Sequence, residues 1–491
     1  MEQVQITFAN TGKSVAVRKG ISLLAVQIGM GLRPDAPCAG RGACGKCKVI
    51  VDGQEVLSCQ TPADRDMVVE LPEVRQERIL ISGVTAQVKP DGKHRRSLAF
   101  DIGTTTVAAY LLDGITGTVL AQASMLNPQT QYGADVISRV QLAMEQGPGV
   151  LSACIRQALA ELTAEAAQKA GIVPDEITLA AVAGNTAMHH LLLGIDPTPL
   201  TTPPYMPGVS EALELSAKGL LPIADGGVVR ILPNIAGFVG ADTVGCLLST
   251  RFDQLDALTL MIDIGTNGEM VLGDPKRRIA CSTAAGPAFE GAKISCGMRG
   301  AEGAIDHVAM DQGTVSYHVI GEGKAIGLCG SGLLDLVAVL LESGVIEESG
   351  YLKGGIYHLD GTDVSLTQKD VREVQLAKAA VCAGIQLVAK HLGVNVNQIQ
   401  RVLLAGAFGN YLDPVSACRI GMIPGCLLDR IQPVGNIAGE GAKLCALSQR
   451  EFHYSKELAA GTEFLELASC PDFQDYYVDA LEFGGKDEHF G

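Results

Sequence analysis

The sequence predicts an α/β multidomain chain, with a small cysteine-bearing module at the N-terminus followed by two related α/β subdomains. Three observations carry this expectation. Four cysteines, Cys38, Cys44, Cys47 and Cys59, fall within twenty-two residues. A strand–turn–strand pattern with an aspartate at its turn is written twice, at Asp101 and Asp263, 162 residues apart. Between and after the two copies, β-type runs alternate with helical stretches, as in layered α/β folds built from repeated subdomains.

Composition narrows the function classes. At 491 residues the chain has room for roughly two to four domains with their own cores. Hydrophobic residues at 47% and charged residues at 19% describe a globular chain and not a disordered one. A net charge of −16 argues against a nucleic-acid groove, and the absence of Trp leaves little for stacking bases. Partners are expected to be proteins or small anions. No uncharged apolar run reaches the ~18 residues of a membrane span, so no membrane partner is expected. No basic-then-apolar leader opens the sequence, and ten further cysteines lie scattered singly in apolar segments. Reduced thiols in the cytoplasm are the expectation.

The module reads in order as follows. Residues 3–8 and 13–18 alternate as two strands joined by Asn10-Thr11-Gly12, residues 21–30 read as a short helix, and 67–71 as a closing strand. Between them lies Cys38-Ala39-Gly40-Arg41-Gly42-Ala43-Cys44-Gly45-Lys46-Cys47, with Cys59 after a gap of eleven residues. A [2Fe–2S] cluster needs four thiolates and close backbone N–H groups, which small residues allow. Four cysteines also bind zinc, although zinc sites usually pair two C-x2-C knuckles and only one is present. Unligated thiols are the third reading. The strand–strand–helix–loop order resembles the β-grasp fold of [2Fe–2S] ferredoxins over residues 1–75. The five-residue first gap is similar to the adrenodoxin-type variant, not to the C-x4-C-x2-C of plant-type ferredoxins.

Residues 76–97 read as an extended, flexible linker carrying the basic run Lys93-His94-Arg95-Arg96. The first subdomain is expected over 98–257, with strands at 98–102, 107–112 and 118–123. The second is expected over 258–491, with strands at 258–264, 269–272 and 278–282. In Asp101-Ile102-Gly103-Thr104-Thr105-Thr106 the glycine permits a tight turn, after which N–H groups and hydroxyls can meet phosphate oxygens. Asp263-Ile264-Gly265-Thr266-Asn267-Gly268 repeats that chemistry. Each aspartate ends a strand, where it can hold Mg²⁺ through water. Either hairpin alone reads as a mere turn; two copies facing one cleft are far more specific.

Two further segments agree. Arg401–Ala405 is an apolar strand feeding Gly406-Ala407-Phe408-Gly409-Asn410, whose small residues admit an adenosine. Gly330 and Gly332 precede a helix at 333–341 and serve either an anion-binding helix start or close packing. Asp242 and Glu269 are candidate Mg²⁺ or water-positioning groups against a structural role. Residues 127–139 are polar enough to line the cleft. His189 and His190 lie in an apolar helical stretch and read as structural. Thr367 and Asp370 form a capping box opening a helix that Gly393 stops.

Over residues 98–450 the motifs DIGTT, DIGTNGE and AGAFGNY resemble the phosphate and adenosine motifs of the acetate and sugar kinase, Hsp70 and actin superfamily. That resemblance implies ATP and Mg²⁺ clamped between two related subdomains. The combination with an iron–sulfur module is similar to the reductive activators of corrinoid enzymes. Further matching segments are Ala183–Met188 (AGNTAM), 235–243, 285–292 and 471–473. The family implies ATP-dependent transfer of one electron from the [2Fe–2S] cluster to Co(II), regenerating Co(I) in the corrinoid protein of a methyltransferase system. It also implies an upstream low-potential electron donor and a homodimer. A small-molecule kinase, or an activator of another low-potential enzyme, is the alternative. Two departures stand out: the gap before Cys59 is shorter than in relatives, and a middle domain of longer members is expected to be missing.

Overall fold

A computed structural model describes residues 2–32, 34–36, 38–42, 44–72, 82–311 and 313–484. The chain opens with β1 (Gln3–Phe8) and β2 (Lys13–Arg18), paired antiparallel as the alternation predicts. The helix Leu23–Gly29 follows, its first turn capped where Ser22 Oγ accepts from the Ala25 N–H at 3.3 Å. Then come β3 (Lys48–Val51), β4 (Gln54–Leu57) and β5 (Met67–Glu70), giving the sheet order β2-β1-β5-β3-β4. Alternate residues Val4, Ile6 and Phe8 face Leu23, Val26, Met67 and Val69 in a small core. The β3–β4 hairpin was not foreseen. Its turn residues Asp52 and Gly53 both take positive φ (52° and 77°), so Asp-Gly was a readable type I′ signal.

The first lobe begins at Arg96. It contains β6 (Arg96–Ile102), β7 (Thr106–Asp113), β8 (Val119–Leu126), β9 (Leu179–Gly184), β10 (Leu213–Ser216) and β11 (Val228–Ile231), in the order β10-β11-β9-β6-β7-β8. The second contains β12 (Thr259–Ile264), β13 (Gly268–Gly273), β14 (Arg278–Thr283), β15 (Ala304–Asp311), β16 (Thr314–Val319), β17 (Gly327–Leu328), β18 (Ile356–His358), β19 (Ser365–Thr367), β20 (Arg401–Ala405), β21 (Ile431–Gly435) and β22 (Glu463–Phe464). Its main sheet runs β21-β20-β12-β13-β14-β22, so β11-β9-β6-β7-β8 and β21-β20-β12-β13-β14 are one topology used twice. The register is shared too: Asp101 lies opposite Ala183, and Asp263 opposite Ala405. Both inner strands, β9 and β20, are apolar because helices cover the two faces of each sheet. The helix Gln368–Leu392 carries the foreseen capping box at Thr367 and Asp370 and stops at Gly393.

The lobes meet through the helices Ala241–Thr250 and Ile437–Leu447. They cross closely: a Cβ on Gly441 would sit 2.2 Å from the Gly245 carbonyl oxygen. A shared core runs through this contact, from Ala99 and Tyr110 to Met261 and Leu403.

The linker is strapped down where it is described. Residues 76–81 of it lie outside the described residues, but Val84 N–H donates to Val434 O (2.8 Å), Ala86 N–H to Ser249 O (2.8 Å) and Asp91 N–H to Leu447 O (3.0 Å). The basic run also has partners: Lys93 reaches Gln449, His94 reaches Thr178 and Arg96 reaches Asp113. Residues 82–93 therefore lie against both helices of the lobe junction.

Candidate functional site

The two acid-tipped hairpins face each other across a cleft of about 270 Å³. Asp101, Gly103, Thr104 and Thr105 line one wall; Asp263, Gly265, Thr266, Asn267 and Glu269 line the other, with Asp242 between them. Burial pushes Asp101 and Asp263 up to about 6 and Asp242 to about 7, with mutual repulsion adding to the rise in Asp242 and Asp263. Glu269 is raised well above its ordinary value by burial and then by Asp242 and Asp263. Each carboxylate has a weak local donor. Asn436 Nδ2 donates to Asp101 at 2.8 Å, the Thr243 N–H to Asp242 at 2.8 Å, Ser282 Oγ to Glu269 at 3.2 Å, and the Cys246 thiol to Asp263 at 3.8 Å. No ion pair among the described residues reaches any of the four. Among the described residues no three of these carboxylates converge closely enough to ligate an ion directly, so the set suits a divalent ion only if water completes its shell.

The first hairpin is fixed from behind. Asn127 Nδ2 donates to Gly103 O (2.8 Å), Arg139 Nη2 to Thr104 O (2.6 Å) and Asn185 Nδ2 to Thr104 Oγ1 (3.0 Å). Arg139 is fully buried, also donates to Gly133 O at 2.9 Å, and burial holds its guanidinium down at about 10. Residues 127–139 thus support the cleft wall from both ends of that segment. The two lobes are bridged by Glu290, whose Oε1 accepts from Thr105 Oγ1 (2.7 Å) and Thr266 Oγ1 (3.0 Å).

At the other end of the cleft, Phe289 and Phe408 stack with centroids 5.0 Å apart, and both line the wall. Gly330 lies beside them, and Gly406 adjoins the acid Asp263. A Cβ at Gly330 would stand 2.1 Å from Phe289 O, and one at Gly406 2.4 Å from Asp263 Oδ1. The foreseen helix begins at Gly330 itself and runs Gly330–Glu342, with Cys329 as its N-cap. Gly332 and Gly409 do not line the cleft. Gly332 packs on β15, 2.2 Å from Ile305 O for an added Cβ, and Gly409 on Leu404. Ala407 lies in the helix Gly406–Tyr411. His189 is buried, and desolvation pushes its imidazole down to about 3, in line with a structural role.

The cysteines form two pairs. Cys38 and Cys44 have sulfurs 3.2 Å apart, and Cys47 interacts with Cys59. Burial raises the thiol pKa of Cys44 and Cys59. None of the four is in a disulfide, and among the described residues no three His, Cys, Asp or Glu side chains converge as a mononuclear metal site would require. The loop between the cysteines touches both lobes. Arg41 Nη2 donates to Ser138 Oγ at 3.3 Å, next to Arg139, and Lys46 Nζ to Gly297 O at 2.5 Å, next to the cleft residue Met298.

Twin sheets of one topology, each with an acid-tipped hairpin on a shared cleft, define an ATPase domain of the ASKHA class. Family models place it further: one described as the C-terminal domain of RACo, the ASKHA domain, matches residues 257–490, and the RACo middle region matches 96–255. The latter corrects the expectation of a missing middle region, because it covers the first lobe. The corrinoid activation enzyme RamQ of Eubacterium limosum is 38% identical over 420 residues, 79% of this chain and 70% of that protein. The [Co(II) methylated amine-specific corrinoid protein] reductase of Methanosarcina barkeri is 30% identical over 52% of this chain, which spans 51% of that relative. A solved reductive activator for a corrinoid, iron–sulfur protein superposes with a TM-score of 0.73 at 28% identity, covering 99% of each chain. The chain belongs to the RACo family of corrinoid-protein activators.

Proposed function

We propose that the chain reactivates a corrinoid protein of a methyltransferase system, coupling ATP hydrolysis to delivery of one electron that returns Co(II) to Co(I). The observation that carries this reading is the cysteine loop's double contact. Arg41 meets the first lobe and Lys46 the second, each one residue away from a group on the nucleotide cleft or its support. Relative movement of the lobes therefore cannot leave that loop undisturbed.

Cys38, Cys44, Cys47 and Cys59 would hold a [2Fe–2S] cluster. Two support lines favour it over zinc. The thiols gather as two pairs, one per iron, and the sheet order β2-β1-β5-β3-β4 with a single packed helix matches the β-grasp scaffold of ferredoxins. When bound, the cluster supplies a one-electron store. Asp101, Asp242, Asp263 and Glu269 would hold Mg²⁺, largely through water. Gly103–Thr105 and Gly265–Asn267 would take the phosphates through N–H groups and hydroxyls, and Gly330, Gly406 and Phe408 the adenosine.

The thermodynamics explain why an ATPase is attached. A plant-type ferredoxin sits at about −400 mV, and each further 100 mV uphill costs about 2.3 kcal/mol per electron. Protein contacts shift such an equilibrium only by differential affinity for two states, and nucleotide-driven closure supplies two states. The reading includes an upstream low-potential electron donor, a homodimer measurable by sedimentation, and a cytoplasmic setting in which the chain's thiols stay reduced. Among the described residues no helix is long and apolar enough to cross a membrane.

The test is anaerobic. Reconstituted protein, a chemical reductant, Mg·ATP and a Co(II) corrinoid protein are mixed, and the Co(I) absorption band is followed. A band that grows only with ATP is expected. No band with ATP, or an equal band without it, sinks the proposal.

A further inference from the structure

Glu290 has no role in the sequence reading beyond membership of a matching segment, yet it occupies the midline of the cleft. It follows β14 on a turn and is half-buried. Its Oε1 accepts two hydroxyls that come from the two lobes, Thr105 from the first hairpin and Thr266 from the second. Thr105 is the fourth residue after Asp101 and Thr266 the third after Asp263, so the carboxylate is held by both phosphate hairpins. Burial raises the four cleft acids, and repulsion adds to the rise in Asp242, Asp263 and Glu269. The positive charge whose titration does register Glu290 is the buried Arg139 guanidinium.

We propose that Glu290 orients and deprotonates the water that hydrolyses ATP, an assignment that rests on the ATPase reading above. Both hydroxyls donate to Oε1, which fixes the carboxylate, while Oε2 receives no hydrogen bond from a described residue. One oxygen is anchored and the other is available to accept a proton. In the step, the water oxygen bonds to the γ-phosphorus as the bond from that phosphorus to the β,γ-bridging oxygen breaks. ADP leaves with that electron pair, the water proton passes to Glu290 Oε2, and the released phosphate or solvent carries it away. The hydroxyls also make Glu290 sensitive to lobe spacing. Only when both hairpins are near are both donors in reach, so hydrolysis is restricted to the closed cleft.

The experiment uses the full-length, reconstituted protein and measures steady-state ATP hydrolysis together with equilibrium binding of a fluorescent ATP analogue. E290Q keeps the shape and an oxygen for the two hydroxyls but accepts no proton. Its kcat is expected to fall by about 10²–10³-fold, the usual size of a lost general base, while nucleotide affinity stays within about threefold. E290D should recover part of the rate, and E290A should be stimulated by added formate, a small carboxylate that a purely structural vacancy would not use. An E290Q kcat within about threefold of wild type overturns the assignment. So does a parallel loss of affinity and rate, which would make Glu290 a structural tie, or an E290A rate indifferent to formate. A wild-type protein without ATPase activity would instead remove the ATPase reading itself.

Discussion

The two phosphate hairpins share sequence, topology and register, yet they are supported differently. Behind the first, Asn127, Arg139 and Asn185 hold Gly103 O, Thr104 O and Thr104 Oγ1, and a Cβ on Gly103 would stand 2.9 Å from Thr106 O. Both close their own turns, Gly103 N–H to Thr106 O and Gly265 N–H to Asn267 O at 2.9 Å, and each sends one threonine to Glu290. Around Gly265 the nearest atom to an added Cβ is 3.9 Å away. One hairpin is a fixed template and the other has room to adjust. An engine that converts closure into work needs that asymmetry, because two rigid walls would not close and two loose ones would not align phosphate.

The largest effects should come from removing the chemistry on either side of the coupling. D263A is expected to lower ATP hydrolysis by at least ~10²-fold while leaving the visible iron–sulfur absorbance intact. C44S should do the reverse, sparing nucleotide binding and abolishing ATP-dependent formation of the Co(I) band.

Next come substitutions that test the asymmetry directly. R139M leaves the carbonyls of Thr104 and Gly133 unpaired in a buried setting and should cost ~2–4 kcal/mol in urea unfolding, with weaker nucleotide binding. G103A should cost ~1–3 kcal/mol, whereas G265A, which meets open space, should stay within ~0.5 kcal/mol. Equal costs for the two alanines would erase the distinction between the hairpins.

A smaller effect is expected at the cysteine loop. K46A removes a partly buried contact to Gly297 and should slow Co(I) formation by about two- to fivefold with ATP hydrolysis unchanged, since surface contacts contribute ~1 kcal/mol or less. If hydrolysis and electron delivery fall together, the loop is not the link between them.

The smallest concerns a site remote from both hairpins. Burial holds the Lys378 ammonium down at about 8, where it donates to Glu482 O over the Phe483 ring. Between about 8 and the ordinary 10.5 the unfolded chain binds more protons than the native one, so this lysine's contribution to stability rises with pH across that window. Urea midpoints of K378M should lose that upward slope, while those of the hairpin variants keep it.

What could be read from the sequence was local or repeated. The strand limits 3–8 and 13–18, the capping box at Thr367 and the twin aspartate hairpins all reappear, because a turn glycine, a cap or an alternation acts over a few residues. Residues 127–139 were legible only as polar. That Asn127 and Arg139 grip the first hairpin depends on a chain reversal between them and β6. Gly332 and Gly409 looked like ligand glycines, and the structure gives them to packing. Short motifs do not reveal which side of a helix start faces the cleft. The flexible-linker reading missed for a related reason: the partners of residues 82–93 lie beyond residue 248 in the chain.

The sequence by itself determined the inventory: four clustered thiols, two acid-tipped hairpins, and a subdomain pattern used twice. Only the tertiary structure decided how these face one another: which acids share a buried pocket, that Glu290 ties two lobes together, and that Arg41 and Lys46 rest on opposite sides of the cleft. The physical reason is range. Backbone preference and periodicity are set within a turn or two of chain, whereas burial, charge repulsion and cross-lobe hydrogen bonds exist only after distant segments have packed.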